Sequence, residues 1–257
     1  MLQIFCDPSE LAMAAETGML VLSDERAHHI RDVLRMKPGE ELLAKAGGDG
    51  EGEYDPREYR FAIESADRDE VILMLRTVRE HDTELPVKVS LYQALPKADK
   101  MELIVQKAVE LGVCEIVPVE SSRCIVKLDD NKKEKRRERW QSIAESAASQ
   151  CGRAFVPAVR SPMRIAAAFA EAEKNADVCV IPYELQEPGS TGHLLKGLAP
   201  GTRIAVFIGP EGGFEAGEIE KAKEHGIEPV SLGRRILRTE TAGLAFLSFL
   251  VWLYEVE

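Results

Sequence analysis

Phe207-Ile208-Gly209-Pro210-Glu211-Gly212-Gly213-Phe214 and Ser231-Leu232-Gly233-Arg234-Arg235-Ile236-Leu237-Arg238-Thr239-Glu240-Thr241-Ala242 share one grammar: a short apolar run, a turn containing glycine, then a helix. The first run, residues 204–208, is too short for a helix and rich enough in branched and aromatic side chains for a buried strand. Gly209-Pro210-Glu211-Gly212-Gly213 must end it, because proline removes a ladder donor and glycine opens backbone shapes closed to other residues. Residues 216–225 follow as a polar helix. The second run, 229–232, breaks at Gly233 and leads to a helix starting near Thr239. Two such turns can lie side by side at one end of a parallel sheet, where open α/β folds bind ligands. Taken singly, each is an ordinary tight connection. Neither G-x-G-x-x-G nor G-x-x-x-x-G-K-[ST] occurs, which disfavours a dinucleotide or triphosphate site. What sets the pair apart is the second turn, where Arg234, Arg235, Arg238 and Glu240 crowd against an apolar helix.

A chain of 257 residues can bury a sizeable core in one large or two unequal domains. Its composition, 30% charged and 45% hydrophobic, is that of a globular protein. The first eight residues read as a strand meeting a turn at Asp7-Pro8, not as a basic-then-apolar leader. The longest apolar run, 242–254, falls short of the roughly 20 residues that span a bilayer. A cytoplasmic protein is expected. Five scattered cysteines without a C-x-x-C, and histidines without partners at ligand spacing, lead to an expectation of neither disulfides nor metal. The net charge of −11 is unevenly spread: residues 121–160 hold 10 Lys/Arg against 5 Asp/Glu, whereas residues 1–80 are acidic. A basic face on an acidic body is compatible with a polyanion that docks locally.

Outward from the two turns, the chain divides in style. Residues 1–77 alternate short strand-like runs with turns, interrupted by a helix over 26–34 capped by Ser23-Asp24-Glu25, and suggest a small barrel or meander suited to recognition. A loop dense in glycine and acid occupies 47–55. Residues 78–86, polar and closed by Pro86, are expected as a linker. From residue 87 to 257, strands alternate with helices, which implies βαβ units and a mostly parallel sheet. Val87 opens a strand over 87–94; Asp99 is placed to cap a helix over 100–111; a strand follows over 115–119. Arg123 and Lys127 precede the charge run 132–139, which enters a helix through Trp140. Another helix is expected over 162–173 and a strand over 176–182. The closing helix, 239–256, is apolar on nearly all sides, so it should be buried in the core or under a second subunit.

In their order and spacing, several of these segments resemble the RsmE family, ribosomal RNA small-subunit uridine N3-methyltransferases of the SPOUT (α/β-knot) class. The resemblance rests on His29-Ile30-Arg31-Asp32-Val33-Leu34-Arg35, on Gln93-Ala94-Leu95-Pro96-Lys97 with Lys100-Met101-Glu102, and on Gln106-Lys107-Ala108-Val109-Glu110-Leu111-Gly112-Val113. It continues in Glu138-Arg139-Trp140, Gln150-Cys151-Gly152-Arg153 and the two turns, and so covers almost the whole chain. One departure is the lack of an arginine within Met1-Leu2-Gln3-Ile4.

The resemblance implies a PUA-like β-barrel that helps hold RNA, followed by an α/β domain with a deep trefoil knot. It implies S-adenosylmethionine bound in that knot, a homodimer that completes the site, and a target uridine in 16S ribosomal RNA of the small subunit. The cofactor residues are then Ile208, Gly209, Pro210, Glu211, Gly212 and Gly213 from the first turn. The second contributes Ser231, Leu232, Gly233, Ile236, Leu237, Arg238, Thr241 and Ala242, with Ile236 and Leu237 against the adenine. Loss of the uracil N3 proton leaves negative charge on the flanking carbonyls, which a guanidinium can stabilise; Arg238 comes first and Arg123 second for that role. Glu240 is the candidate proton acceptor, or a carboxylate favoured by a helix N-terminus. His29, Arg31, Arg35, Lys97, Lys100, Arg139, Gln150 and Arg153 are the expected RNA contacts. Rival readings are a SPOUT enzyme acting on a ribose 2′-hydroxyl and a non-catalytic RNA-binding assembly factor. A serine or cysteine hydrolase is disfavoured, since no G-x-S-x-G elbow occurs.

Overall fold

The computed structural model describes residues 1–47, 54–126, 128–186 and 191–256. Most of the glycine-and-acid loop and Lys127 lie outside the described residues. The chain forms two compact units, Met1–Glu84 with Ala148–Val156, and Leu85–Ala147 with Pro157–Glu257.

The first unit runs β1 (Leu2–Cys6), α1 (Pro8–Thr17), β2 (Met19–Leu22), α2 (Glu25–His28), β3 (Glu41–Ala46), β4 (Arg57–Ala66) and β5 (Val71–Glu80). Its sheet has the order β1-β3-β4-β5-β2. The expected meander is β3-β4-β5, antiparallel throughout, with β1 added parallel to β3. Alternation along β4 sends Tyr59, Phe61 and Ile63 into a core shared with Leu11, Ile30, Leu42 and Leu73. Helix α1 stands where the sequence suggests only a turn. Asp7-Pro8, read as a turn, is instead an N-cap followed by proline at the first helical position, and Glu10 closes a capping box with Asp7. The expected 26–34 helix begins as α2 under its Asp24 cap and widens into a π-helical turn, His29–Val33, where the Leu34 N–H donates to the His29 carbonyl.

The end of the long helix α4 (Asp130–Cys151) and the residues after it are tied into this unit by polar contacts. Gln3 Nε2 donates to the Arg153 carbonyl at 2.9 Å. Lys45, fully buried, donates to the carbonyls of His81 and Gly152, each at 3.2 Å.

The second unit continues β6 (Lys88–Ala94), α3 (Lys100–Glu110), β7 (Glu115–Glu120), α4, β8 (Ala158–Val159), β9 (Met163–Arg164), α5 (Ile165–Asn175), β10 (Val178–Pro182), α6 (Thr191–Leu195), β11 (Arg203–Ile208), α7 (Ala216–Glu224), β12 (Glu228–Val230) and α8 (Thr239–Val251). The sheet order is β12-β10-β11-β6-β7-β8, with β9 also on β7. Every pairing is parallel, as alternating strands and helices require. Tyr92 stacks on Phe207 at 4.4 Å between ring centroids, and Phe169 meets Phe207 edge-on at 5.0 Å. Helix α5 starts three residues later than expected, because Met163 and Arg164 pair with Val119 and Glu120 of β7. Asp99 stands at the N-cap of α3 but makes no side-chain cap hydrogen bond.

Strand β12 is an edge, yet α8, which follows it, packs on β6 and β11. A Cβ at Gly243 would sit 3.4 Å from Leu91 and 3.5 Å from Ile208, ordinary contact distances that place this face of the helix directly on β6 and β11. The chain therefore doubles back across the C-terminal ends of β10 and β11. Tyr254 donates to the Leu195 carbonyl at 2.7 Å and Thr191 to the Ser231 carbonyl at 2.8 Å, fastening α6 over the returning chain. Phe246, Leu247 and Leu250 are buried, but the last turn, Trp252–Val256, has no buried residue, and Trp252 is half exposed. The expected burial on nearly all sides is thus limited to one stripe, Thr239, Gly243, Phe246, Leu247 and Leu250, while Thr241 and Ser248 on the other side are exposed.

Candidate functional site

Strands β11 and β12 both run parallel to β10, so the bends that follow them leave the sheet at the same end. Together they line a cleft of ≈ 460 Å³, within the range of small-molecule sites. Of the expected cofactor residues, Ile208 to Gly213, Ile236, Leu237, Arg238 and Ala242 line this cleft. Ser231, Leu232 and Gly233 line an adjoining recess of ≈ 120 Å³ that shares Ile236, Leu237 and Ala242. Thr241 lines neither; its N–H bonds to the Arg238 carbonyl within the first turn of α8.

Local chemistry shapes each bend. In the first, the Gly213 N–H donates to the Pro210 carbonyl at 2.9 Å and Gly213 adopts φ +66°, a left-handed shape natural to glycine. Arg123 Nη1 donates to the Gly212 carbonyl at 2.7 Å, clamping the bend from outside. In the second, Ser231 Oγ accepts from the Gly233 N–H at 3.2 Å. Thr239 joins the two: its hydroxyl donates to the Gly209 carbonyl at 2.6 Å and accepts from buried Gln93 Nε2 at 2.9 Å. Gln93 Oε1 is buried without a hydrogen-bond partner among the described residues.

Lys100 reaches into the cleft. Its Nζ lies 3.0 Å from Glu211 and 3.1 Å from Glu240, bridging a carboxylate of the first bend to one at the N-terminus of α8. Burial pushes the Glu211 carboxyl up, but its own backbone N–H, Lys100 and the Lys97 N–H outweigh this and hold it below the usual carboxylate range. Glu240 is likewise held low, first by its own backbone N–H and then by Lys100. Its Oε2 contacts Lys100 as an ion pair without good hydrogen-bond alignment. Both acids are therefore ionised at neutral pH. Arg238 stands free beside them, 82% exposed, with only a 4.0 Å approach to Glu240.

The expected RNA contacts scatter more widely. Lys100 is committed to its two carboxylates, and Arg139 pairs with Glu102 at 2.7 Å while staying largely exposed. Lys97, His29, Arg35 and Gln150 are exposed. Arg31 bonds Asp32 and the carbonyls of Asp67 and Arg68 within its own unit. Arg153 must be corrected. It is 3% exposed, paired through Nε and Nη2 with buried Glu84, and its guanidinium lies 4.9 Å from the centre of the Phe155 ring. A guanidinium so enclosed cannot reach a phosphate; its role is structural.

Pro182, the last residue of β10, and Glu184 just after it also line the cleft, and a Cβ on Gly213 would meet Glu184 at 3.4 Å. No motif marks them. Their signal is topological: β10 lies between β11 and β12, so its C-terminal loop must enter between the two bends. Among the described residues, no cluster of three or more His, Cys, Asp or Glu could hold a metal ion, and no helix is long and apolar enough to cross a membrane.

The parallel sheet with its ligand-sized cleft, and the small β unit before it, both match families of RNA methyltransferases. Residues 83–251 match the family model described as an RNA methyltransferase domain, and residues 22–74 match an RNA methyltransferase PUA domain. Ribosomal RNA small subunit methyltransferase E of Bacillus subtilis is 34% identical over 94% of this chain and 93% of its own length. The protein of that name from Mycobacterium tuberculosis is 31% identical, over 88% of this chain and 84% of its own. A crystal structure of ribosomal RNA small subunit methyltransferase E from Neisseria gonorrhoeae, bound to S-adenosyl methionine, superposes with a TM-score of 0.81 at 28% identity, covering 99% of this chain and 98% of that one. The chain belongs to the ribosomal RNA small subunit methyltransferase E family.

Proposed function

We propose that this protein transfers the methyl group of S-adenosylmethionine to N3 of a uridine in 16S ribosomal RNA of the small subunit. The observation that carries this reading is the cleft itself, lined by residues of both bends. Its lining fits the cofactor. Glycines leave the backbone of the first bend open to close approach, and Ile236 offers an apolar face that is 87% exposed. Backbone N–H and C=O groups of residues 208–213 and 231–237 would hold the polar edges, with Ile236 and Leu237 against the adenine. Bound there, S-adenosylmethionine supplies an electrophilic methyl group on a sulfonium.

The protein's own part is positioning and electrostatics. The uracil N3–H must be lost as the new N–C bond forms, and negative charge then develops on the flanking carbonyl oxygens. Arg238, at the lip of the cleft, is the guanidinium free to meet that charge. Arg123, fixed by the Gly212 carbonyl, acts on the shape of the bend and comes second. Glu240 is in the ionised state that accepting a proton demands, although Lys100 competes for it. The target base has to be turned out of its stack to reach the cleft.

Unit one serves as the PUA-like RNA-holding module. Two copies associate through the second unit, where Leu103 and Trp252 leave apolar surface uncovered. The protein works in the cytoplasm, where its substrate is. Nucleoside mass spectrometry of small-subunit RNA, treated with the protein and trideuteromethyl-labelled cofactor, should yield labelled 3-methyluridine. Labelled 2′-O-methyluridine, or no label, would refute the reading.

A further inference from the structure

The basic run 132–139 is the charge feature that stands out in the sequence, yet the structure neutralises much of it. Lys132 pairs with Asp129 at 2.8 Å, Lys133 with Glu120 at 3.0 Å, Arg137 with Glu134 at 2.6 Å and Arg139 with Glu102 at 2.7 Å. The second bend is the reverse. Arg234 and Arg235 are exposed, and neither has a hydrogen bond or ion pair with any described residue. Arg238, four residues on, makes only its 4.0 Å approach to Glu240. Arg234 and Arg235 thus line the adjoining recess and Arg238 the cleft, and none has an ion pair closer than 4.0 Å with a described carboxylate, although Glu184 lines both spaces. Gathering like charges is unfavourable unless an anion meets them, and the second bend is held in place independently of these side chains, by Ser231, Thr191 and Thr239.

We infer that Arg234 and Arg235 grip the phosphodiesters flanking the flipped nucleotide, so that RNA backbone enters over the second bend and not along α4. The inference rests on the proposed methyl transfer to RNA and adds where the strand is held. A guanidinium suits the task because it stays charged and offers paired donors to phosphate oxygens. The arrangement separates duties along one bend: Arg238 faces the base, and the two arginines before it fix the register of the strand. Both also line the adjoining recess. The competing ligand there is therefore the carboxylate of the cofactor, and the experiment has to tell phosphate from carboxylate.

The test compares wild type with R234Q/R235Q, R234K/R235K and the control K132Q/R137Q on α4. Binding of a small-subunit RNA fragment is followed by fluorescence anisotropy across a salt series, and S-adenosylmethionine binding by calorimetry. Two lost phosphate contacts should flatten the slope of log K against log salt by about 1.4 to 2. The Gln variant should show that change with cofactor affinity within about twofold of wild type, the Lys variant should keep most of the slope, and the α4 control should change it less. An unchanged slope in R234Q/R235Q overturns the inference. So does a tenfold loss of cofactor affinity with RNA binding intact, which would assign the pair to the cofactor carboxylate. Because binding is read without turnover, these results stand apart from the labelled-nucleoside experiment, whose failure would instead remove the methyl-transfer reading.

Discussion

Thr239 donates its hydroxyl to the Gly209 carbonyl at 2.6 Å, which fixes the first residue of α8 to the bend that follows β11. The two walls of the cleft are thereby held at one spacing by a single side chain that also accepts from Gln93. Thr239→Val keeps the shape and removes both bonds, leaving the half-buried Gly209 carbonyl and one N–H of buried Gln93 without their partner. The expected cost is about 1–3 kcal/mol of stability, read as a lower urea midpoint with unchanged m-value. Cofactor affinity should fall in parallel.

Gly213 and Gly217 lie four residues apart and should respond oppositely to alanine. At Gly213 the new Cβ meets a positive φ and the Glu184 carboxylate, so cofactor affinity should drop at least tenfold by calorimetry. At Gly217, inside α7, the added methyl meets nothing within 4 Å, and helix propensity favours alanine by up to about 1 kcal/mol. The second variant should bind cofactor normally and melt slightly higher.

Lys100→Met removes the cation between Glu211 and Glu240 and leaves the two carboxylates facing each other. In the wild type both are held below their ordinary values by partners that include Lys100. Their stabilising contribution is therefore present above an unfolded pKa of about 4.3 and is lost as pH falls through the lower folded values. Wild-type cofactor binding should accordingly persist at pH 5. In the variant at least one carboxyl should titrate higher, moving the acid limb of binding toward neutral pH. Superimposable profiles would show that Lys100 does not organise the cleft.

The Glu84–Arg153 pair is a stability element of the first unit, with both side chains 4% exposed. Glu84→Ala strands a buried guanidinium and should cost about 3–5 kcal/mol, seen as a large loss of thermal stability. Arg153→Gln should also destabilise, while leaving the salt dependence of RNA binding unchanged in whatever protein remains folded.

Much of this could be read from the chain because local and global signals agree in the second unit. The apolar runs at 204–208 and 229–232, each ended by glycine, can be strands only if parallel partners bury them, and the sheet places both bends at one end. Other features depend on contacts far apart in sequence. Asp7-Pro8 serves equally as a turn and as a helix start, and only the packing of Leu11 against the first unit's core decides for α1. Arg153 looks like a surface charge until Glu84, 69 residues earlier, is placed against it. Glu184 carries no motif and enters the cleft solely through the order of three strands.

The most direct test of the central claim, that the two bends form the methyl-donor site, is hydrogen exchange followed by mass spectrometry with and without S-adenosylmethionine. Peptides covering residues 208–214 and 231–242 should gain protection, with Thr239→Val and Gly213→Ala reducing the gain. Protection confined to other segments, or none at saturating cofactor, would contradict it.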